Sequence, residues 1–372
     1  MLKQRSAIIR SQLSNQILDA ISTMPQQAAD ASRFERLALK LFAWQYQENP
    51  TYRRLCERQG KEPATVFGWR DIPAVTTSAF KYARLACFPA RSDEVVFQTS
   101  GTTLQRPGRH YFRSLDFYRA AALRSFKAFC LPDREKIRML IVGPSADPFP
   151  LSSLGFMFSL VQKEFGAAGS AVYFSTEGLL VEPLLRDLDA ACAAGEAVFL
   201  LGTSLALLEL VNVLKQRHRA LRLPVGIRVL DTGGYKAQAV EISRAEVVAA
   251  LNEYLSIPPD FMINEYGMTE LSSQFYESPL AAAALFAGGP SIKVAPPWVR
   301  VVAVDPATLE PVPAGEIGML RVLDLANVDS VVAIQTEDLG RAWLDRMELL
   351  RRASGAERRG CSLLTESILR IN

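Results

Sequence analysis

The sequence predicts an α/β protein in which helices cover a mainly parallel sheet, with a smaller β-rich, barrel-like part near the C-terminus. Between residues 115 and 263, short apolar runs with β-branched residues alternate with segments whose apolar residues recur at helical spacing. Such alternation is typical of a parallel sheet with helices on both faces. After residue 290 the strand-like runs are joined by turns that contain Pro and Gly, which indicates antiparallel or barrel-like pairing.

The elements are expected in a definite order. Residues 6–22 and 33–48 have apolar residues at helical spacing and predict two opening helices, and a short buried strand is expected at Val95–Phe97. Strands are then expected at 137–142, 171–174, 197–201, 227–230, 261–263, 299–304, 317–323 and 331–334, and helices at 115–130, 154–166, 179–193, 204–220 and 242–255. We expect one large domain, with a helical lead-in at 1–90, an α/β part at 91–290, a β-rich part at 291–350, and a short remnant at 351–372.

The composition argues against several functional classes. The 372 residues have a formal net charge of only +3, and the Lys and Arg residues are spread out, so nucleic acid is not an expected partner. Five cysteines without a Cys-x-x-Cys pair and only two histidines indicate neither a disulfide framework, a zinc cluster nor a His-based triad. Without a signal-peptide block or an 18-residue apolar run, a cytoplasmic protein without a membrane span is expected.

A loop rich in small hydroxyl residues follows the first expected strand. It begins at Thr99 and continues through Ser100, Gly101, Thr102 and Thr103. Backbone N–H groups and hydroxyls at close approach can hold phosphate oxygens, and Arg106 or Arg109 can neutralise their charge. This loop is therefore a candidate phosphate loop, although it is not the G-x-x-x-x-G-K-[ST] type.

The later strands also run into loops of functional composition. These loops are Gly143–Ser145, Gly202–Ser204, Asp231–Lys236 and Asn264–Glu270. Ligands of parallel α/β sheets bind at the carboxyl ends of the strands. The four loops are therefore expected to contribute to one ligand site.

Four motifs in this order resemble those of the adenylate-forming superfamily, which contains acyl-CoA synthetases, peptide-synthetase adenylation domains and luciferase. The motifs are Thr99–Thr103, Tyr266–Glu270, Gly315–Gly318 and Thr336–Arg341. The chain is most similar to the short acyl-protein synthetase (LuxE-type) branch, because of Thr232–Lys236 and the ending Gly355–Leu363. The resemblance covers roughly residues 60 to 365 and implies the large domain of that family without its mobile C-terminal domain.

The resemblance implies a role for each matching residue. Glu270 would hold Mg²⁺ against the ATP phosphates, Asp338 would accept hydrogen bonds from both ribose hydroxyls, and Cys361 would accept the acyl group, with Arg358 and Arg359 lowering its thiol pKa. Implied catalytic residues are Glu270, Thr269, Lys236 and Cys361. Implied nucleotide-binding residues are Thr99, Ser100, Gly101, Thr102, Thr103, Arg106, Gly233, Gly234, Tyr266, Gly267, Met268, Asp338 and Arg352. Implied substrate-binding residues are Phe149, Ser152, Gly202 and Thr203.

The function that follows is ATP- and Mg²⁺-dependent adenylation of a carboxylic acid, either fatty or aromatic, for example a phenazine carboxylate. The activated acyl group would pass to a partner reductase that forms an aldehyde. Leu104 stands where the family usually has glycine, and no lysine follows it. This departure leaves open a degenerate adenylate-binding subunit without catalysis, and a self-sufficient acyl- or aryl-CoA ligase is a second alternative.

Overall fold

The computed structural model describes residues 2–25, 30–99, 106–233, 236–237, 240–241, 244–277, 280 and 292–353. Their helices are α1 (Leu2–Thr23), α2 (Ala31–Glu48), α3 (Pro50–Arg58), α4 (Asp116–Cys130), α5 (Ser153–Phe165), α6 (Val181–Ala194), α7 (Ser204–Gln216) and α8 (Arg244–Leu255). The seven expected helices are confirmed, and α3 was not predicted. Helix α3 begins at Pro50, and the side chain of Asn49 caps it by accepting a hydrogen bond from the Tyr52 N–H. None of the described helices is both long and apolar enough to cross a membrane.

The strands are numbered in chain order. They are β1 (Val75–Thr76), β2 (Val95–Gln98), β3 (Arg109–Phe112), β4 (Arg138–Val142), β5 (Ala171–Val172), β6 (Phe174–Ser175), β7 (Gly178–Leu179), β8 (Val198–Thr203), β9 (Arg228–Thr232), β10 (Lys236–Ala237), β11 (Val240–Glu241), β12 (Met262–Tyr266), β13 (Phe275–Glu277), β14 (Ile292–Val294), β15 (Val299–Val304), β16 (Ile317–Asp324), β17 (Ala333–Ala342) and β18 (Arg346–Arg352). Several strands extend beyond their predicted ends, so that residues expected in loops lie within the sheet.

The described residues divide into two compact units. The first contains the chain up to Arg124, Met268–Gln274 and residues 292–353, and the second contains residues 125–267 and 275–277 together with Leu280. The domain boundaries expected at residues 90 and 290 stay a prediction.

The first unit contains an antiparallel sheet in the order β15, β16, β17, β18, β14, and β1 pairs parallel with β17. The antiparallel pairing expected after residue 290 is confirmed, and no closed barrel is found among the described residues. The candidate phosphate loop lies between the two strands of a separate antiparallel hairpin, β2–β3. Within the strand expected at Val95–Phe97, only Phe97 is buried, because a two-stranded hairpin covers less of its own surface than a central strand does.

The second unit has the predicted parallel sheet. Its order is β13, β12, β9, β8, β4, β5, in which β13 is antiparallel to β12. Leu200 packs in a core with residues of α6, α7 and α8, and the neighbouring Phe199 stacks on Phe126 of α4 at 5.7 Å. Because adjacent strand residues point to opposite faces, helices cover both faces, and the predicted fold class is confirmed.

Candidate active site

The hairpin β2–β3 closes the base of the candidate phosphate loop. The Thr99 N–H donates to the Gly108 carbonyl at 3.0 Å, and the Gly108 N–H donates to Thr99 Oγ1 at 2.8 Å. A Cβ on Gly108 would lie 3.2 Å from Thr99 Cγ2, so a larger residue would crowd this junction. The Arg106 side chain is exposed. Ser100, Gly101, Thr102 and Thr103 lie outside the described residues.

Glu270 is a buried carboxyl group in a turn of the first unit. The turn is closed by the Leu271 N–H, which donates to the Met268 carbonyl at 3.1 Å, and the Glu270 carbonyl accepts from Asn327 Nδ2 at 2.9 Å. Burial raises the pKa of Glu270 to about 7, although its own backbone N–H, Arg352 and Lys81 favour the charged form. A metal cation bound at this carboxylate would further favour its charged form.

Asp324 forms hydrogen bonds with the residues that follow this turn. Its side chain is fully buried and accepts hydrogen bonds from the Ser272 N–H at 3.0 Å, Ser273 Oγ at 2.8 Å and the Ala326 N–H at 2.9 Å. Burial raises the pKa of Asp324 to about 6 in spite of these donors. The network fixes the backbone that immediately follows Glu270.

Thr269 connects the turn to the hairpin of the candidate phosphate loop. Its carbonyl oxygen lies 2.8 Å from His110 Nδ1 on β3, and its hydroxyl donates to the Gln98 carbonyl at 3.4 Å. Thus Thr99 from one predicted motif and Thr269 and Glu270 from another lie on connected elements of one unit.

Asp338 and Arg352 are cross-strand partners on β17 and β18. Asp338 is buried, its N–H donates to Thr336 Oγ1 at 3.1 Å, and Arg352 Nε lies 3.5 Å from Asp338 Oδ1. A Cβ on Gly340 would lie 2.2 Å from the Glu348 carbonyl oxygen. Glycine is therefore required here by the close approach of β18, and the register between β17 and β18 shifts between Leu339 and Gly340.

In the second unit, a polar network lies at the carboxyl ends of β9 and β12. The buried Asp231 accepts hydrogen bonds from Asn264 Nδ2 at 2.9 Å and Ser204 Oγ at 3.3 Å, and it forms an ion pair with Arg244 at 3.1 Å. Arg244 also pairs with Glu277 at 3.0 Å. The sequence placed Asp231 in a loop expected to contribute to the ligand site but gave it no role of its own, and it did not identify Arg244.

The residues predicted to surround the adenine lie next to this network. Thr232 Oγ1 donates to the buried Glu265 carboxylate, and the following Gly233 has a φ of +95°, a conformation that favours glycine. Tyr266 packs edge-on against Phe275 at 5.9 Å, and Gly267 is exposed. Met268 belongs to the first unit. Gly234 lies outside the described residues, and of Lys236 only the backbone, on β10, is described.

The four residues predicted to bind the acid have clear local roles in the second unit. Ser152 and Thr203 cap α5 and α7, where their hydroxyls accept from the Gly155 N–H at 3.0 Å and the Ala206 N–H at 3.2 Å. Gly202 lies within β8, and a Cβ there would lie 2.4 Å from Val142 Cγ2. The half-buried Phe149 packs against Phe174 at 5.9 Å. Their contact with a substrate stays a prediction.

Comparisons with known proteins agree with the motifs. Residues 1–369 match the family model described as acyl-protein synthetase, LuxE. Long-chain-fatty-acid–luciferin-component ligase of Aliivibrio fischeri is 24% identical over 96% of this chain and 96% of its own, and the Vibrio harveyi enzyme of the same name is 24% identical over 88% and 86%.

Solved structures show the same fold. An open conformation of 2-hydroxyisobutyryl-CoA ligase, in complex with 2-HIB-AMP and CoA, has a TM-score of 0.63 with 16% identity, and the match covers 88% of this chain and 71% of that one. The prediction of an ATP-dependent, carboxylate-adenylating ligase is confirmed. The chain belongs to the acyl-protein synthetase (LuxE) family.

Proposed function

We propose that this enzyme adenylates a long-chain fatty acid with ATP and Mg²⁺ and passes the acyl group to a partner reductase. The observation that supports this most strongly is the buried Glu270 carboxyl, whose pKa is raised to about 7 in a turn fixed by Asn327. The names of the two curated relatives favour a fatty acid over an aromatic one.

The donor set suits Mg²⁺ bound together with ATP. Among the described residues, no group of three or more His, Cys, Asp or Glu side chains is placed to hold a metal ion. Mg²⁺ in phosphate sites is held by one or two carboxylates together with the substrate phosphates, and Glu270 is such a carboxylate. When bound, the ion would neutralise charge on the phosphate oxygens.

The proposed adenylation needs placement and charge more than a protein nucleophile. A carboxylate oxygen of the acid attacks the α-phosphorus of ATP, and the bond from that phosphorus to pyrophosphate breaks, which leaves an acyl-adenylate. Thr99 and Gly108 hold the ends of the loop proposed to bind the phosphates. Arg352, which lies on β18 opposite Asp338, is proposed to supply positive charge near the α-phosphate.

The substrate class can be tested by trapping the acyl-adenylate with hydroxylamine. We expect hydroxamate formation and pyrophosphate release with acids of about twelve or more carbons, and little with benzoate or a phenazine carboxylate. Preference for the aromatic acids would overturn the fatty-acid assignment. The absence of any carboxylate-dependent pyrophosphate release would support a degenerate binding subunit, and rapid thioester formation with added coenzyme A would support a self-sufficient CoA ligase.

Asp338→Ala tests the proposed ribose contact. A carboxylate that accepts hydrogen bonds from both ribose hydroxyls contributes on the order of 1.5–3 kcal/mol per bond to a charged group. The wild-type enzyme should therefore prefer ATP to 2′,3′-dideoxy-ATP in kcat/KM, and Asp338→Ala should lose that preference, whereas the neighbouring Glu337→Gln should keep it. An unchanged preference in Asp338→Ala would place the ribose elsewhere.

The acyl group is proposed to pass through Cys361. Cys361 lies outside the described residues. Its role is supported by elimination, because the other four cysteines have raised thiol pKa values. Burial raises the pKa of Cys56 to about 12 and raises those of Cys87, Cys130 and Cys192, so little of their reactive thiolate exists at neutral pH.

Intact-mass measurement after incubation with ATP and a turned-over acid tests this step. We expect a hydroxylamine-labile acyl adduct on the wild-type enzyme and none on Cys361→Ser, with Cys192→Ser as the matched control that keeps the adduct. Transfer to the reductase by Cys361→Ser at the wild-type rate would show that the acyl-adenylate itself is handed over.

A further inference from the structure

We propose that His110 is a positioning residue that holds the Glu270 turn in its binding geometry through a hydrogen bond from Nδ1–H to the Thr269 carbonyl. This inference rests on the proposed role of Glu270 as the cation ligand. It identifies a residue outside the four family-matching motifs as part of the site.

The geometry determines the tautomer. His110 Nδ1 lies 2.8 Å from the Thr269 oxygen, and because a carbonyl oxygen can only accept, Nδ1 must carry the proton. The side chain is buried, and burial lowers the pKa of His110 to about 4. The ring is therefore neutral at physiological pH, with Nδ1 as donor and Nε2 unprotonated.

Aromatic contacts orient the ring. The imidazole packs on Phe112 with centroids 4.1 Å apart and meets Phe80 edge-on at 5.8 Å. The Phe80 Cβ lies 3.5 Å from the position that a Cβ on Gly108 would occupy. Phe80 thus lies next to Gly108 at the base of the candidate phosphate loop and also against His110. His110 in turn contacts Thr269, the residue that precedes Glu270.

The consequence is a physical link between two parts of the site. His110 pairs with Phe97 across the hairpin, and Thr99 begins the loop two residues after Phe97. The Nδ1–H bond joins this hairpin to the turn at Met268–Leu271, so a displacement of one is transmitted to the other. Partners of this kind around a metal ligand affect metal affinity or activity by roughly 10- to 100-fold.

Two substitutions separate the hydrogen bond from the ring packing. His110→Phe keeps an aromatic ring against Phe112 but has no donor, whereas His110→Asn loses the ring but places an amide N–H close to the position of Nδ1. His110→Gln places its amide near Nε2 instead and serves as the geometric control.

The first readout is the affinity of the folded protein for Mn²⁺ with α,β-methylene-ATP, measured by electron paramagnetic resonance. We expect roughly 10- to 100-fold weaker cation binding in His110→Phe and His110→Gln, and near wild-type binding in His110→Asn. If His110→Phe binds like the wild type while His110→Asn is weakened, the ring and not the hydrogen bond is what matters, and the inference fails.

The second readout is independent of any ligand. The chain has two histidines, so ¹⁵N-histidine labelling gives two imidazole spin systems, and His218→Gln identifies the one from His110. We expect a protonated Nδ1 and a bare Nε2 at pH 7.5; the opposite tautomer would overturn the inference. Failure of the proposed function can be distinguished from failure of this inference. In that case the cation-binding and tautomer results are as expected, but the wild-type protein releases no pyrophosphate with any acid.

Discussion

Glu270→Gln should abolish most acyl-adenylate formation, with a loss of at least about 10²-fold in kcat, the order found when a single electrostatic contact is removed from a transition state. The amide has nearly the shape of the carboxyl group but cannot offer a negative charge to Mg²⁺. Pyrophosphate release at saturating ATP and acid measures the effect. Glu310→Gln, an exposed site in the same unit, removes one charge elsewhere and should stay active.

The fold should tolerate Glu270→Gln, which separates chemistry from stability. The folded-state pKa of Glu270 is raised from 4.5 to about 7. Between these values the folded state binds more protons than the unfolded state, so this group's contribution to stability is present at low pH and is lost as pH rises through 7. At pH 8 the variant should unfold at or above the wild-type temperature.

Cation binding should show the opposite dependence on pH. Because Mg²⁺ requires the deprotonated carboxyl group, the Mg²⁺ concentration that half-saturates the wild-type enzyme should fall as pH rises through about 7. The dependence should be absent from Glu270→Gln. A fully active Glu270→Gln enzyme would remove Glu270 from the cation site.

Asp324→Ala should have the largest effect on stability, a decrease of roughly 3 kcal/mol in the free energy of unfolding, since it leaves three buried donors without an acceptor at about 1 kcal/mol or more each. These donors are the Ser272 N–H, the Ser273 hydroxyl and the Ala326 N–H. Chemical denaturation measures the loss. Activity should also fall at temperatures where the variant stays folded, because Ser272 and Ser273 directly follow the turn that contains Glu270.

Asp305 provides a matched control. It also accepts from two backbone N–H groups and one hydroxyl, those of Ala307 and Thr308, but in an exposed turn where water can replace the carboxylate. Asp305→Ala should therefore lose much less stability. Asp324→Asn keeps one acceptor oxygen and should fall between the two. Equal losses at both aspartates would mean that burial is not the source of the effect.

The fold and the main motifs could be predicted because their signals are local. Alternating apolar runs predicted the parallel sheet of the second unit, and Tyr266–Glu270 and Thr336–Arg341 are contiguous segments that can be compared with a family. The sequence left antiparallel and barrel-like pairing open after residue 290, because strand composition does not determine whether the edge strands pair. Residues 336–341 also lie inside β17, where cross-strand pairing with β18 decides the conformation.

The supporting residues could not be predicted because their partners are distant in sequence. His110 and Thr269 are 159 positions apart, and Asp324 and Ser272 are 52 positions apart. The local sequence around a single histidine in a strand, or around a single aspartate at a strand end, does not indicate which distant residue it will contact. For Asp231, the alternation predicted a strand at 227–230, but not that β9 would extend through Asp231 to Thr232 or that Arg244 would pair with the carboxylate.

The pairing of β1 with β17 has a consequence for how the protein is made on the ribosome. Val75 pairs with Ile334, and Gln45 of α2 accepts from the Val332 N–H, 287 positions away. The second unit emerges earlier, since it ends at Pro290. At about 5–20 residues per second, the nascent chain carries α1–α3 without their sheet for on the order of ten seconds or more. The apolar faces of these helices are open to chaperones during that time, and slower synthesis lengthens it.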